Sequence, residues 1–207
     1  MIQRAKKNIA AVILAGGKGR RLGGVAKGKL KLVSDGSIIR HLIDQLETVG
    51  IYDIAISAND VAVYSEFNKT IIPDKRIGVG PLAGIEAGLG HFEGSFDGVI
   101  FLPCDLPNIT FREIVALIES FSKGDAPAVY VQTSEFFYHP LCTVVHNDVK
   151  EALSKAIDDG QRRPLHFLQQ LNARAAMFSS DEPFFNINSF ADLDNWKNKS
   201  VSLERQL

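Results

Sequence analysis

The chain has 207 residues and nearly balanced charge, with 23 Lys and Arg against 24 Asp and Glu and a formal net charge of −1. This balance excludes general electrostatic binding to nucleic acid, which depends on a strongly basic surface. With 45% hydrophobic residues, the length favours one well-packed domain over residues 1–207 and is short for two independent ones.

Short β-branched runs alternate with amphipathic segments, a pattern typical of an α/β fold with a mostly parallel sheet and helices on both faces. The predicted strands are residues 9–14, 53–57, 70–72, a run from Gly98 that stops at Asp105, then 128–132, 141–145, 174–178 and 184–188. The predicted helices are residues 37–49, one opened near Pro81, one from a capping box at Thr110, one capped by Asn147, and a terminal helix from Ser189. We interpret residues 133–140 as a hairpin or an excursion between two strands.

Cysteine content and apolar patterning indicate the compartment. Cys104 and Cys142 are the only two cysteines, too few for a disulfide framework, and neither has the spacing of a zinc site. The apolar run at residues 10–15 is broken by paired glycines before it reaches signal-peptide length. No other segment approaches the roughly 18 apolar residues of a membrane span. We therefore expect a cytoplasmic protein that binds neither membranes nor nucleic acid.

A glycine-rich basic loop follows the first predicted strand, and residues 14–32 contain six Lys or Arg and six Gly without an acidic residue. Glycine allows backbone N–H groups to converge on a phosphate, and the cations complement its charge. Two common fingerprints fail: Leu30 lacks the hydroxyl of a P-loop, and Leu22 replaces the third glycine of the dinucleotide motif. A solvated basic loop is the alternative, but the carboxyl end of a strand is where ligands bind in open α/β sheets.

Short motifs along nearly the whole chain resemble those of the molybdenum cofactor guanylyltransferases, nucleotidyltransferases with a Rossmann-like sheet. LAGGKGRRLGGVAK at residues 14–27 is similar to their opening motif, with Leu22 in place of Met and Ala26 in place of a common acidic residue. The further matches are GPLAG at 80–84, PCDLP at 103–107, HP at 139–140 and NINS at 186–189.

This resemblance implies transfer of GMP from GTP to the terminal phosphate of molybdenum-bound molybdopterin, with release of pyrophosphate. The implied nucleotide contacts are Leu14, Ala15, Gly16, Gly17, Gly19, Lys27, Asn59, Asp74 and Asp105. Lys27 and Arg21 are expected to be catalytic, because cations oppose the charge that grows on the leaving pyrophosphate. Asp105 is expected to be catalytic as the ligand of Mg²⁺, which favours one or two carboxylates plus phosphate oxygens. The alternative for Asp105 is a cap of the next turn, and its neighbour Cys104 is expected to be a buried small residue.

Five residues are candidates for binding the molybdopterin acceptor. Asn186 and Asn188 stand two apart in an extended run, so their amides face one side and suit an anionic ligand, with an Asx turn as the alternative. His139 fits an acceptor contact or an ordinary turn equally well. Arg162 and Arg163 suit a pterin phosphate or are surface charges near a helix start.

Guanine selection is expected from Asn59 and Asp74, which follow short strand-like runs. A carboxylate accepts hydrogen bonds from both guanine donors, and an amide donates to the guanine oxygen. The alternative for Asp74 is an ion pair with Lys75 or Arg76.

Other functions fit the same loop and aspartate. Cytidylyl transfer to molybdopterin and nucleotidyl transfer to a sugar phosphate would use both, and Ala26 keeps open a nucleotide-binding regulatory module without turnover. The resemblance also implies protein partners that deliver molybdopterin and apo-molybdoenzymes that receive the cofactor.

Overall fold

The structure is a computed structural model that describes residues 7–17, 23, 25–32 and 36–204, the last five as backbone only. The described residues form a seven-stranded sheet. Its strands are β1 (Ile9–Leu14), β2 (Ile54–Ser57), β3 (Thr70–Ile72), β4 (Gly98–Pro103), β5 (Ala128–Gln132), β6 (Tyr138–His146) and β7 (Arg174–Met177). The helices are α1 (Ile38–Thr48), α2 (Val61–Tyr64), α3 (Pro81–His91), α4 (Phe111–Ser122), α5 (Lys150–Asp158), α6 (Pro164–Gln170) and α7 (Phe190–Glu204).

The strands lie in the order β3-β2-β1-β4-β6-β5-β7. All neighbours are parallel except those of β6, which runs antiparallel to both β4 and β5. The strand order reverses at β1, whose carboxyl end is level with that of β4 because Leu14 is in register with Pro103. Such a reversal opens a crevice at the carboxyl edge of the sheet, which is the usual ligand site of this architecture.

Both faces of the sheet are covered, which explains why every residue of β1 and β4 is buried. The core on one face joins the sheet to α1, α4 and α7, and includes Leu42, Leu117 and Trp196. The core on the other face joins it to α3, α5 and α6, and includes Leu82, Leu153 and Phe167. The predicted α/β fold class with a mostly parallel sheet is confirmed.

Two local predictions are wrong. Residues 184–188 were expected to form a strand, but Glu182–Phe184 form a 3-10 turn and the following residues join no ladder. Their polar groups bond to the loop after β4 instead: Ile187 N donates to the carbonyl of Asp105 at 3.0 Å. Asn147 does not cap a helix, because its amide donates to the carbonyls of Phe92 and Phe96.

The capping box of α4 and the hairpin between β5 and β6 are confirmed. Among the described helices, none has the length and apolar content to cross a membrane. The single domain and the cytoplasmic location stay predictions.

Candidate functional site

The glycine loop begins where β1 ends, and the structure describes its first residues, 15–17. Ala15 N donates to the carbonyl of Ser57 at 2.8 Å, so the chain continues along β2 before it turns. Gly16 and Gly17 are exposed, and a Cβ on Gly17 would have no atom within 4 Å. Their backbone is therefore accessible to a ligand. Gly19 and Arg21 lie outside the described residues, so the roles expected of them stay predictions.

A short 3-10 turn at Lys27–Lys29 returns the loop to the sheet edge. Gly28 allows this approach, because a Cβ there would lie 2.5 Å from the Ile39 side chain of α1. The turn directs Lys27 inward: its Nζ is 3.1 Å from Asp105 Oδ2 and donates to Asn188 Oδ1 at 2.6 Å. The Lys27 side chain is 19% exposed, so its ammonium is partly shielded but accessible.

Asp105 and the two asparagines complete this cluster. Asn186 Nδ2 donates to Asp105 Oδ1 at 2.8 Å, so the Asp105 carboxylate has one amide and one ammonium partner. The Asn186 and Asn188 amides therefore contact the same Lys27–Asp105 pair, and the acceptor role expected of them stays a prediction. The cap of α7 comes from Ser189, whose Oγ accepts from Asp192 N at 3.2 Å. The Asn188 amide is therefore used at the site and not in an Asx cap.

Asp192 belongs to the site's surroundings and was not predicted there. Its Oδ2 accepts from the backbone N of Asn188 at 3.0 Å and so fixes the residue that accepts from Lys27. The hydrogen bond from Ser189 is the main cause that lowers the pKa of Asp192 below its ordinary value, and the charge of Lys27 adds to the shift. The signal was present in the sequence, since Ser189 and Asp192 have the spacing of a capping box.

The donor set fits magnesium. Among the described residues, no group of three or more His, Cys, Asp or Glu could enclose a metal. Magnesium does not need such a cage, since one carboxylate with phosphate oxygens and water suffices. Asp105, whose side chain is 13% exposed, offers that carboxylate. The Asn188 amide oxygen accepts a hydrogen bond from the same Lys27 ammonium that contacts Asp105. Cys104 is buried, and burial raises the pKa of its thiol to about 12, which disfavours the reactive thiolate.

A second cluster lies beyond β2 and β3. Asn59 and Asp74 exchange two hydrogen bonds: Asn59 Nδ2 donates to Asp74 Oδ2 at 2.9 Å, and Asp74 N donates to Asn59 Oδ1 at 3.0 Å. Ser57, which was not predicted, donates to Asp74 Oδ1 at 3.4 Å. A Cβ on Gly16 would lie 3.6 Å from Asp74, so this cluster adjoins the glycine loop. Arg76 does not pair with Asp74, because its guanidinium contacts Glu86 and Asp158.

The remaining acceptor candidates have contacts with other residues. His139 Nε2 is 3.3 Å from Asp181 Oδ1, and its ring packs on Phe184, two residues before Asn186. Arg162 Nη1 donates to the carbonyl of Ile157 at 2.8 Å and so caps the end of α5. Arg163 precedes α6. Among the described residues, no hydrogen bond or ion pair joins either arginine to Asp105 or to the asparagines.

Comparisons with known proteins identify the family. The model of the MobA-like NTP transferase domain matches residues 11–175. A molybdenum cofactor guanylyltransferase of Yersinia pestis (strain Pestoides F) is 35% identical over 195 residues, which cover 93% of this chain and 96% of that protein. A molybdenum cofactor guanylyltransferase of Yersinia pseudotuberculosis serotype O:1b has the same identity and coverage. The resemblance inferred from the motifs is thereby confirmed.

Solved structures share the fold. A molybdopterin-guanine dinucleotide biosynthesis protein A from Archaeoglobus fulgidus superposes with a TM-score of 0.77 at 24% identity, covering 94% of this chain and 99% of that one. A 4-diphosphocytidyl-2C-methyl-D-erythritol synthase from Anaerococcus prevotii reaches 0.72 at 12% identity, with coverage of 95% and 99%. The family model and the Yersinia relatives together show that this chain belongs to the MobA-like NTP transferase family and is a nucleotidyltransferase.

Proposed function

We propose that the protein transfers GMP from GTP to the terminal phosphate of molybdenum-bound molybdopterin and releases pyrophosphate. The observation that carries this proposal is the convergence of Lys27, Asp105 and Asn188 at the level carboxyl ends of β1 and β4. The cluster combines a cation, a carboxylate and an amide at the sheet edge where the exposed glycine backbone begins. Backbone N–H groups and a cation bind nucleotide phosphates, and a carboxylate binds their metal ion. The named Yersinia relatives support the choice of GTP and molybdopterin.

In the reaction, an oxygen of the acceptor phosphate forms a bond to the α-phosphorus of GTP. The bond from that phosphorus to the oxygen bridging to the β-phosphate breaks, and its electron pair leaves with pyrophosphate. Lys27 would stabilise this departing charge, and the N–H groups of Gly16 and Gly17 would bind the phosphates. Because Asp105 and Asn188 already orient the Lys27 ammonium, little reorganisation is needed when the charge develops.

Asp105 would hold Mg²⁺ at this edge. When bound, the ion supplies charge neutralisation for the triphosphate. Asn186 and Lys27 fix the carboxylate from both of its oxygens, so its orientation is set before the nucleotide arrives.

Asp74 and Asn59 would select guanine. Their mutual hydrogen bonds place a carboxylate and an amide side by side next to Gly16, the arrangement that the guanine edge requires. Cytidylyl transfer is the second candidate, because two structures with this fold are named for cytidylyl chemistry. One is the Anaerococcus synthase named above. The other is a CMP:2-keto-3-deoxy-manno-octonic acid synthetase complexed with CTP, with a TM-score of 0.73 at 14% identity.

The asparagines would bind the acceptor without adding negative charge beside its phosphate. His139, which reaches the same segment through Phe184, is a further acceptor contact in this proposal. Arg162 and Arg163 are weaker candidates, because Arg162 already serves the end of α5. Proteins that deliver molybdopterin and receive the cofactor complete the proposed set of partners.

The test is pyrophosphate release from GTP and Mg²⁺, measured with and without molybdenum-loaded molybdopterin. We expect release that depends on the acceptor, and weaker release with CTP. Equal rates with both nucleotides would contradict guanine selection. Saturable GTP binding without pyrophosphate would contradict turnover and favour a regulatory module.

A further inference from the structure

Arg76 lies two residues after Asp74, and its guanidinium contacts three side chains on two helices. Its Nε is 2.9 Å from Glu86 Oε2 of α3. Its Nη2 donates to Ser154 Oγ of α5 at 2.7 Å, and its Nη1 pairs with Asp158 at the end of the same helix. The guanidinium therefore connects the loop after β3 to both α3 and α5.

The contact with Glu86 is the least exposed part of this connection. Glu86 is 9% exposed, which is rare for a carboxylate and costly unless the charge has a partner. Arg76 supplies that partner, with a side chain that is itself 29% exposed. Since breaking one half of such a pair leaves an uncompensated charge, the ion pair holds Arg76 firmly against α3.

The loop that carries Asp74 is thus held on both sides of that residue. Asn59 holds Asp74 through two hydrogen bonds, and Arg76 holds the chain two residues later. The rest of the connection to α3 has two glycines with positive φ, Gly78 at 78° and Gly80 at 79°. Without the Arg76 contacts, Asp74 would depend on its contacts with Ser57 and Asn59.

We propose that Arg76 is a positioning residue for nucleotide selection, which fixes the loop so that the Asp74 carboxylate meets the edge of the base. The inference rests on the proposed function, because it presumes that Asp74 selects guanine. Hydrogen bonds to a base edge are short and directional, so a binding residue must be held to within a fraction of an ångström by its neighbours.

The test compares kcat/KM for GTP and CTP in the wild type, Asp74→Ala and Arg76→Ala, with pyrophosphate release as the readout. We expect Arg76→Ala to lower the GTP-to-CTP ratio by about tenfold, mainly through a higher KM for GTP, as supporting residues behave in other sites. Lys69→Ala is the matched control, because Lys69 pairs with Glu47 of α1 at 2.7 Å, away from Arg76. It should leave the ratio unchanged.

A second variant separates positioning from stability. Arg76→Ala leaves Glu86 buried without its partner, whereas Arg76→Met combined with Glu86→Leu replaces both charges by apolar side chains of similar volume. We expect the melting temperature of this double variant to lie near that of the wild type. Its ratio of kcat/KM for GTP to that for CTP should still be about tenfold lower. Arg76→Lys, which can restore only one ion pair, should give an intermediate ratio.

The outcomes distinguish this inference from the proposed function. If Asp74→Ala loses the preference for GTP while Arg76→Ala and the double variant Arg76→Met with Glu86→Leu keep the wild-type ratio, Arg76 is not a positioning residue and guanine selection by Asp74 stands. Equal use of GTP and CTP by the wild type would overturn the guanine assignment and this inference with it.

Discussion

Lys27 and Lys29 lie in the same 3-10 turn but have different surroundings. Lys27 contacts Asp105 and Asn188 at the carboxyl edge of the sheet. Lys29 pairs with Glu66 on the outside of the loop, and its side chain is 42% exposed. An exposed ion pair contributes little, whereas an oriented and partly shielded ammonium can act on a bound phosphate. The two lysines are therefore a natural test pair.

We predict that Lys27→Ala lowers kcat by about 10²-fold or more and changes the affinity for GTP much less, because the charge it opposes grows as pyrophosphate leaves. Steady-state kinetics of pyrophosphate release, together with GTP binding by calorimetry, would measure both. Lys29→Ala is the control and should keep near-native kcat. An unchanged kcat with a raised KM in Lys27→Ala would reassign Lys27 to ground-state binding.

Asp105→Ala is predicted to abolish magnesium-dependent transfer while the fold remains intact, because the carboxylate lies at the partly exposed end of β4 and its partners are polar. Transfer rates across a magnesium titration would measure the loss, and circular dichroism with thermal melting would check the fold. Near-native activity would show that Asp105 serves only to cap the turn after β4 and that another group holds the metal.

At the scale of elements, α3 packs on the strands that lead to the Asn59–Asp74 cluster. It packs so closely on β1 and β2 that a Cβ on Gly84 would lie 2.7 Å from Ser57 Oγ and 2.9 Å from Leu14 Cδ2. Ser57 in turn contacts Asp74. The same helix has Gly90 near its end, where a Cβ would meet Lys150 Cε at an ordinary 3.8 Å. Gly84 therefore has no space for a side chain, whereas Gly90 of the same helix has space for a methyl group.

We predict that Gly84→Ala lowers the free energy of unfolding by about 1–3 kcal/mol through overpacking. It should also raise KM for GTP, because Ser57 must shift beside Asp74. Gly90→Ala should raise the free energy of unfolding by about 0.5–1 kcal/mol, since alanine is the better helix former. Urea unfolding of both variants measures these changes. An equal change in the free energy of unfolding in Gly84→Ala and Gly90→Ala would contradict the close packing of α3 on β2.

Elements with strong local signals were predictable from the sequence. The apolar runs predicted the bounds of β1 and β3 correctly, and Pro81 predicted the start of α3. The Thr110 capping box predicted the start of α4. The predicted strand at 184–188 failed because its apolar residues imitate strand alternation, whereas its amides bond to Asp105 and Lys27, which are distant in sequence. Periodicity cannot reveal such partners.

The residues of the two clusters were also predictable only in part. The motifs led to Lys27, Asp105 and the asparagines, and the structure brings these residues together. Ser57 and Asp192 were missed because each acts through a neighbour. The contacts of Arg76 with Ser154 and Asp158 cross about 80 residues of sequence, so composition and spacing gave no signal for them.

For the whole molecule, one continuous sheet joins the Asn59–Asp74 cluster beyond β2 and β3 to Asp105 beyond β4, where Asn186 and Asn188 lie. The single tryptophan, Trp196 in α7, is 8% exposed and donates to Asn108 Oδ1 at 2.6 Å. α7 begins directly after residues 186–189. Fluorescence from Trp196 therefore reports on the packing of α7, next to Asn186 and Asn188.

We predict a single cooperative unfolding transition, in keeping with one domain over residues 1–207. Trp196 fluorescence and far-ultraviolet circular dichroism, followed in the same urea titration, should give coincident midpoints. Trp196→Phe, which retains an aromatic ring in the core, serves to confirm the source of the fluorescence. A fluorescence midpoint well below that from circular dichroism would show that α7 and its surroundings unfold separately.

The proposed reaction moves GMP intact to the acceptor phosphate. The most direct measurement uses two preparations of GTP, one labelled at the α-phosphate and one at the γ-phosphate, with Mg²⁺ and molybdenum-loaded molybdopterin. We expect the α-label to appear in the dinucleotide product and the γ-label in pyrophosphate, and we expect Lys27→Ala to slow both to the same extent. Transfer of the γ-label to the acceptor, or α-label that remains entirely in free nucleotide, would rule out GMP transfer.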